Sequence, residues 1–357
     1  MTRRASRTSY DLVSSTGRSF SGFTIVELLI VIVVIGILAT LSLVAYNNVT
    51  NQAQSAARVS ELSQWKKKSD LHKIENGIEC PANYVFVYGN AALGTDDFCV
   101  MKYEAKIQGN DNGTTTYNAS MIAESRPTGT PWVNINHTQA IAEATAIGGH
   151  LITEAEWMTI AADVLSVKYN WSSGEVGSGY IFQGHVNNNP GAAIAASDDD
   201  SDALYGITGG TGTTVGTNSS RVLYLTSGDA IWDLSGNIYE MTQIAVGIPT
   251  HTNANIGVPG DSAFAWREWN LGTLSLGNLP AVSRPATIAG TEGLSDIASW
   301  GSSKGIGQIF ADYSDTSAHA FIRGGPWMAG SFTGVLMVTT GSNTSYGNTS
   351  FGFRVTR

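Results

Sequence analysis

Gly22-Phe23-Thr24-Ile25-Val26-Glu27-Leu28-Leu29 opens an apolar run that continues to Ala45, and Glu27 is the one charge between Phe23 and Ala45. At about 1.5 Å per residue, a helix of this length crosses the roughly 30 Å of hydrocarbon in a bilayer. Upstream, Arg3, Arg4, Arg7 and Arg18 stand against a single acid, Asp11. That basic flank places the N-terminus in the cytoplasm and the C-terminal bulk outside. A secretory signal peptide would have a shorter apolar core with a small-residue cleavage site after it. Beyond Ala45 the pattern turns amphipathic. Val49, Ala53, Ala56, Val59, Leu62 and Trp65 recur every three or four residues among polar neighbours, so the helix is expected to continue over 23–75. Lys66-Lys67-Lys68 suits the C-terminal end of the helix dipole and reads as a solvated face. Asn76-Gly77 is the stop signal.

The G-F-T-x-x-E-L stretch at Gly22–Leu28 resembles the processing motif of type IV pilins and pseudopilins. The resemblance implies a cleaved leader over 1–22, cut by a prepilin peptidase between Gly22 and Phe23. It also implies methylation of the new N-terminal Phe23 and retention of the apolar helix in the product. An unpaired carboxylate at helix depth costs roughly 2.5–3.5 kcal/mol on insertion scales. Glu27 either snorkels to the interface or, as in the family it resembles, pairs with the freed N-terminal ammonium of a neighbouring subunit and sets assembly register. Many pilins carry a proline midway through this helix; here Gly36 is the only weak point.

The formal net charge is −9, and the leader would remove four arginines and one aspartate, leaving a more acidic chain. This balance argues against nucleic acid as a main partner. Residues 77–357 are numerous enough for one large domain or two small ones, and nine Trp and thirteen Tyr in the chain supply material to bury. Charged residues are 14% and glycines number 40, so short strands and many loops are expected rather than a bundle. The two cysteines, Cys80 and Cys99, read as a disulfide in an exported chain. It would close a loop of about 20 residues, worth on the order of 3 kcal/mol.

Two strands are expected around Cys80–Val87 and Phe98–Ala105, and a short helix over Thr138–Ala146. Thr153-Glu-Ala-Glu156 is a capping box before a second helix beginning at Trp157. About 60 residues without clear period follow. Phe321–Trp327 and Phe351–Arg357 read as strands at the end, and the stretch 242–320 stays unassigned.

Four strings occur in order: His150-Leu-Ile-Thr-Glu-Ala-Glu-Trp157, Trp232-Asp-Leu-Ser-Gly-Asn-Ile-Tyr-Glu240, Arg323-Gly-Gly-Pro-Trp327 and Gly352-Phe-Arg-Val355. This series resembles formylglycine-generating-enzyme-like (sulfatase-modifying factor) domains. The resemblance implies an α+β chain: a long N-terminal pilin helix over 23–76, then an irregular, loop-rich C-type-lectin-like head over 77–357. The enzyme of that family binds copper through a cysteine pair just after its R-G-G-S-W motif. Here Met328, Ala329, Gly330, Ser331, Phe332 and Thr333 occupy that stretch, and no cysteine follows Cys99. A thioether or hydroxyl does not replace a thiolate in that chemistry. A non-catalytic binder is therefore expected.

The frame from Arg323 to Arg354 also resembles the variable proteins of diversity-generating retroelements, with Pro326 where that frame has Ser. The resemblance makes Trp327, Met328, Ala329, Ser331, Phe332, Leu336, Tyr346 and Asn348 candidate ligand-binding residues. Aromatic anchors beside small polar neighbours are also the makings of a paratope. Two sets of oxygen donors are candidates for Ca²⁺. Asp198, Asp200 and Asp202 lie in an acidic run without EF-hand spacing, and Asn237 and Glu240 match positions near a calcium site of the formylglycine family. The six histidines show no zinc-ligand spacing.

The expectation is a type IV pilin-like subunit that passes from the inner membrane into a surface filament with other pilin subunits. Its head would act as an adhesin for an extracellular protein or glycan. The alternatives are a pseudopilin of a type II secretion system and a structural major pilin with a decorative head.

Overall fold

The computed structural model describes residues 22–207, 219–291 and 293–357. The expected leader therefore lies, apart from Gly22, outside the described residues. Two compact units divide the chain at Ala57 and Arg58.

Helix α1 spans Ile25–Asn76. Within the first unit, Ile25–Leu43 is long and apolar enough to cross a membrane, with mean hydropathy 2.8 and none of it buried in the protein. Thr24 caps this helix. Its hydroxyl accepts from the Glu27 amide at 3.2 Å, and the Glu27 carboxylate accepts from the Thr24 amide at 2.8 Å. The Thr24-x-x-Glu27 spacing is thus itself a capping box, which satisfies donors that open at a helix start.

In the second unit, the last turns of α1 dock on the head. Lys66 Nζ lies 2.6 Å from Asp229, the Ser69 hydroxyl donates to the Ser227 carbonyl at 2.7 Å, and His72 lies 2.6 Å from Asp97. Gly228, at φ +81°, lets its turn approach closely: a Cβ there would sit 2.5 Å from the Leu62 carbonyl oxygen. Lys67 and Lys68 are exposed, whereas Lys66 is half-buried in this contact. The reading of the lysine triplet as one solvated face is corrected for Lys66.

Strands β1 (Tyr84–Val87) and β2 (Phe98–Met101) form the expected antiparallel hairpin. The Cys80–Cys99 disulfide, with Cα atoms 5.4 Å apart, ties it to the chain entering the head. Then come β3 (Lys106–Ile107), β4 (Ala123–Glu124), α2 (His137–Ala146), β5 (His150–Leu151) and α3 (Glu154–Ser166). Both helices start with a complete capping box, from Asn136 and from the expected Thr153. Strands β6 (Val222–Tyr224) and β7 (Ala230–Trp232) pair with each other. The rest of the chain supplies β8 (Tyr239–Thr242), β9 (His251–Thr252), β10 (Ala265–Arg267), β11 (Ile309–Ala311), β12 (Ala318–Gly324), β13 (Gly334–Ser342), β14 (Phe351–Phe353) and β15 (Val355–Thr356).

A seven-stranded sheet runs in the order β10-β11-β13-β12-β8-β14, with β9 added beside β12. A four-stranded sheet has the order β1-β2-β15-β5. One face of the large sheet meets α3: Ile309, Ala311, Phe321 and Val338 share a core with Trp157, Ile160 and Ala161. Trp157 Nε1 donates to the Val335 carbonyl at 2.7 Å. At the β8–β14 end the opposite face is covered by Trp132, Ala140 and Ala144, which pack with Met241, Phe351 and Phe353. The stretch 242–320 belongs to the same body, since it contributes β10 and β11 to the sheet and Ile288, Leu294 and Ile297 to the core.

Candidate functional site

The four motifs meet in the interior as two ion-paired couples. Arg323 of the third string pairs with Glu154 of the first, its Nε 3.1 Å from Oε1. Arg354 of the fourth pairs with Glu240 of the second through contacts of 2.7 and 2.9 Å. All four side chains have no exposed surface. Burial alone would raise the Glu154 carboxyl; the adjacent Arg323 guanidinium outweighs it and holds the group below its usual range. Removal of water strips both charges of hydration, so such pairs persist only with full hydrogen bonding. Arg354 has it, donating also to the Met101 and Trp232 carbonyls at 2.8 Å. The segment between Arg323 and Arg354 is therefore anchored in the core at both ends.

On the β10–β12 side of the large sheet, opposed residues form a transverse row on one face: the half-buried Trp266 (β10) and Phe310 (β11) and the buried Thr339 (β13) and Ile322 (β12). This follows from strand geometry, where directly paired residues project to the same side. The row floors a groove of about 520 Å³, closed further by Tyr239, Phe351 and Tyr346 and by the polar Ser342, Asn343 and Ser345. Phe332 stacks on Trp266 with ring centroids 5.0 Å apart and planes 6° from parallel. Tyr346 meets the Phe351 ring edge-on at 5.5 Å. Burial pushes the Tyr239 phenol up to about 12, so it stays neutral. Among the described residues no Asp, Glu, Lys or Arg lines the groove. Its chemistry is aromatic faces with hydroxyl and amide neighbours.

The candidate ligand-binding residues divide. Tyr346 and Phe332 stand at the groove, and Met328 is exposed. Ala329 and Ser331 are half-buried beside Phe332 in the turn that precedes β13. Asn348 is half-buried beside Tyr346, its Oδ1 accepting from the Ser350 amide and hydroxyl at 2.8 and 2.9 Å and its Nδ2 donating to the Tyr346 hydroxyl at 3.4 Å. Leu336 is a correction: it lies in β13 with no exposed surface and belongs to the main core. Trp327 is likewise corrected, for it is 6% exposed and packs with Val133 and Ile238.

Among the calcium candidates, Asn237, Glu240 and Asp200 have protein partners in the structure. Asn237 Oδ1 accepts from the Ile194 amide at 2.9 Å and its Nδ2 donates to Glu104 at 2.6 Å, while Glu240 is held by Arg354. Asp200 bonds Lys102 at 2.7 Å and Trp232 Nε1 at 2.8 Å, whereas Asp198 and Asp202 are exposed. Among the described residues no three His, Cys, Asp or Glu side chains converge as a metal site.

The sequence reading missed Trp266, Phe310 and Tyr239. The available signal was the alternation Phe264-Ala-Trp266, which turns two aromatics to one face of β10.

The prokaryotic N-terminal methylation motif matches residues 17–43. A fimbrial protein of Dichelobacter nodosus is 37% identical over 128 residues, covering 34% of this chain and 69% of that protein. Solved structures of two Major Tropism Determinant variants, P3c and I1, align with 77% of this chain at 11% and 10% identity, with TM-scores of 0.29 and 0.28. The chain spans about half, 52%, of each of those structures, and overlap at that level carries no argument about the head. The methylation motif, the apolar helix behind it and the relative's coverage agree: this chain belongs to the fimbrial protein family and is a type IV pilin-like subunit.

Proposed function

We propose that the chain is a filament subunit whose head is a non-catalytic adhesin, binding an extracellular protein or glycan in the aromatic groove. The observation that carries this reading is the aromatic groove over the row Trp266–Phe310–Thr339–Ile322, in which Trp266 and Phe310 are half-buried, Thr339 and Ile322 form a buried floor, and Phe332 and Tyr346 stand exposed at the border. Flat aromatic surface stacks on sugar faces and on apolar side chains with little conformational entropy to lose. The serine, threonine and asparagine groups beside it exchange hydrogen bonds with hydroxyls. Assembly through the pilin helix would repeat the groove along a fibre and raise weak single contacts by effective concentration. In this reading a prepilin peptidase cuts before Phe23, and Glu27 leaves its own cap to meet a neighbour's ammonium during assembly.

The test uses filaments sheared from cells, applied to a glycan array and to surfaces of immobilised host-cell proteins. Wild-type filaments should be retained. Filaments carrying Phe332→Ser and Tyr346→Ser should lose retention while assembling in normal yield. Undiminished retention by the double variant would place the binding surface elsewhere. If the mature chain stays in the membrane fraction and its loss stops secretion of cargo, the pseudopilin alternative replaces this reading.

A further inference from the structure

A cluster of buried charge lies beneath the groove sheet. Arg221 and Asp233 form one closed pair at 2.7 Å, and Arg354 and Glu240 form another at 2.7 Å. Beside them lie Glu104 and Lys106, each 1% exposed, and Asn237, fully buried; Glu104 Oε1 accepts from the Ile238 amide at 3.2 Å and Asn237 Nδ2 donates to the Ile194 carbonyl at 3.1 Å. Lys106 Nζ lies 3.8 Å from Glu104 Oε2, beyond hydrogen-bond reach, and has no hydrogen-bond partner. An ammonium in that position has given up its water without replacement, a large cost. The same Oε2 accepts from Asn237 Nδ2 at 2.6 Å. One carboxyl oxygen thus faces both the amine and the amide nitrogen.

We propose that Lys106 and Asn237 are joined by an intramolecular isopeptide bond, formed by the folded head itself with Glu104 as the proton shuttle. In the reaction, the Nζ–Cγ bond forms and the Cγ–Nδ2 bond breaks. One proton passes from Nζ to Nδ2 through Glu104, and ammonia leaves. No oxidant, reductant or co-reactant is needed. The neighbouring groups suit each step. Burial drives the Lys106 pKa down to about 8, so the nucleophilic free amine is accessible at neutral pH. Burial drives the Glu104 carboxyl well above its usual range, so it is available in the neutral form that donates a proton. The Ile194 amide donates to Asn237 Oδ1 at 2.9 Å, where negative charge develops on attack. Water is excluded from all three side chains, which protects the intermediate from hydrolysis. The product replaces a stranded buried charge by a neutral amide and links β3 to the turn before β8.

The test is peptide mapping of full-length protein extracted from membranes, after reduction of the disulfide and proteolysis. The expected result is a branched peptide joining Lys106 to Asn237, lighter by one ammonia than its two parts. Glu104→Gln should give the two separate peptides at full mass. Full-mass, unlinked Lys106 and Asn237 peptides from the wild-type chain would overturn the proposal, whatever the folding of the variant. So would an ammonia loss confined to the Asn237 peptide, which marks a succinimide. Linkage in Glu104→Gln equal to wild type would overturn the shuttle role.

Discussion

Arg354 is a long cation with no exposed surface, and what surrounds it decides what its loss would do. Arg354→Met removes the partner of Glu240 and leaves a bare carboxylate in the core, a change that costs about 3–5 kcal/mol in comparable buried pairs. The expected outcome is a large fall in the urea midpoint, partly recovered when Glu240→Leu is added; an equal fall in the double variant would show that packing, not the stranded charge, sets the cost. Asp163 gives a prediction in pH. Burial pushes its carboxyl from 3.8 up to about 6, against the bonds it accepts from Thr226 at 2.7 and 2.9 Å. The folded head thus holds a proton that the unfolded chain has released. This group's contribution is greatest below about 4, falls as pH rises to about 6 and is flat above. Relative to wild type, Asp163→Asn should therefore gain stability across that window; a pH-independent difference in melting temperature would contradict the assignment. At this scale the sequence was legible where a residue type has one use, as with Cys80, Cys99 and Thr153. It was not legible at Leu336, Trp327, Asn237 and Glu240, whose roles depend on partners more than eighty residues away in several cases, such as Asn237 with Glu104 at a separation of 133.

Among elements, the helices and the first hairpin could be read because their signals are local: capping boxes, a 3.6-residue period, a turn between alternating strands. Strand β13 could not. Eight of its nine positions are buried, so it shows none of the alternation of a half-exposed strand. The small strands β10 and β11 were hidden among glycine-rich turns and short 3₁₀ segments, and only sheet pairing defines them. The disulfide belongs to this scale because it acts on the β1–β2 hairpin. Cys80→Ser is expected to lower head stability by about 3 kcal/mol in the loop-entropy account, read as a lower melting temperature of the oxidised protein. No change would show that the hairpin is held by β15 and the docked turns of α1 alone.

For the whole molecule, the pilin assignment rests on the methylation motif at residues 17–43 and on a relative matched over 128 residues, 34% of the chain, while most of the chain is devoted to the head. Glu27→Leu should still insert, since it makes the span more apolar, but filament yield should fall; wild-type yield would remove the pairing role for Glu27. The variant also loses the carboxylate of the Thr24 cap, so helix content of the membrane-extracted chain is the companion measurement. A helix that stays formed while filaments disappear separates the two roles.

The uncharged lining of the groove has a consequence for where such a fibre could hold on. Ionic strength weakens attraction between exposed charges, with a Debye length of about 10 Å at 0.1 M and about 3 Å at 1 M. Contacts made by stacking and by neutral hydrogen bonds escape that screening, and apolar burial is strengthened by excluded salts such as sulfate. If the groove is the binding surface proposed above, attachment through Trp266, Phe310, Phe332 and Tyr346 should therefore persist from dilute fresh water to brine, even though the chain as a whole is acidic.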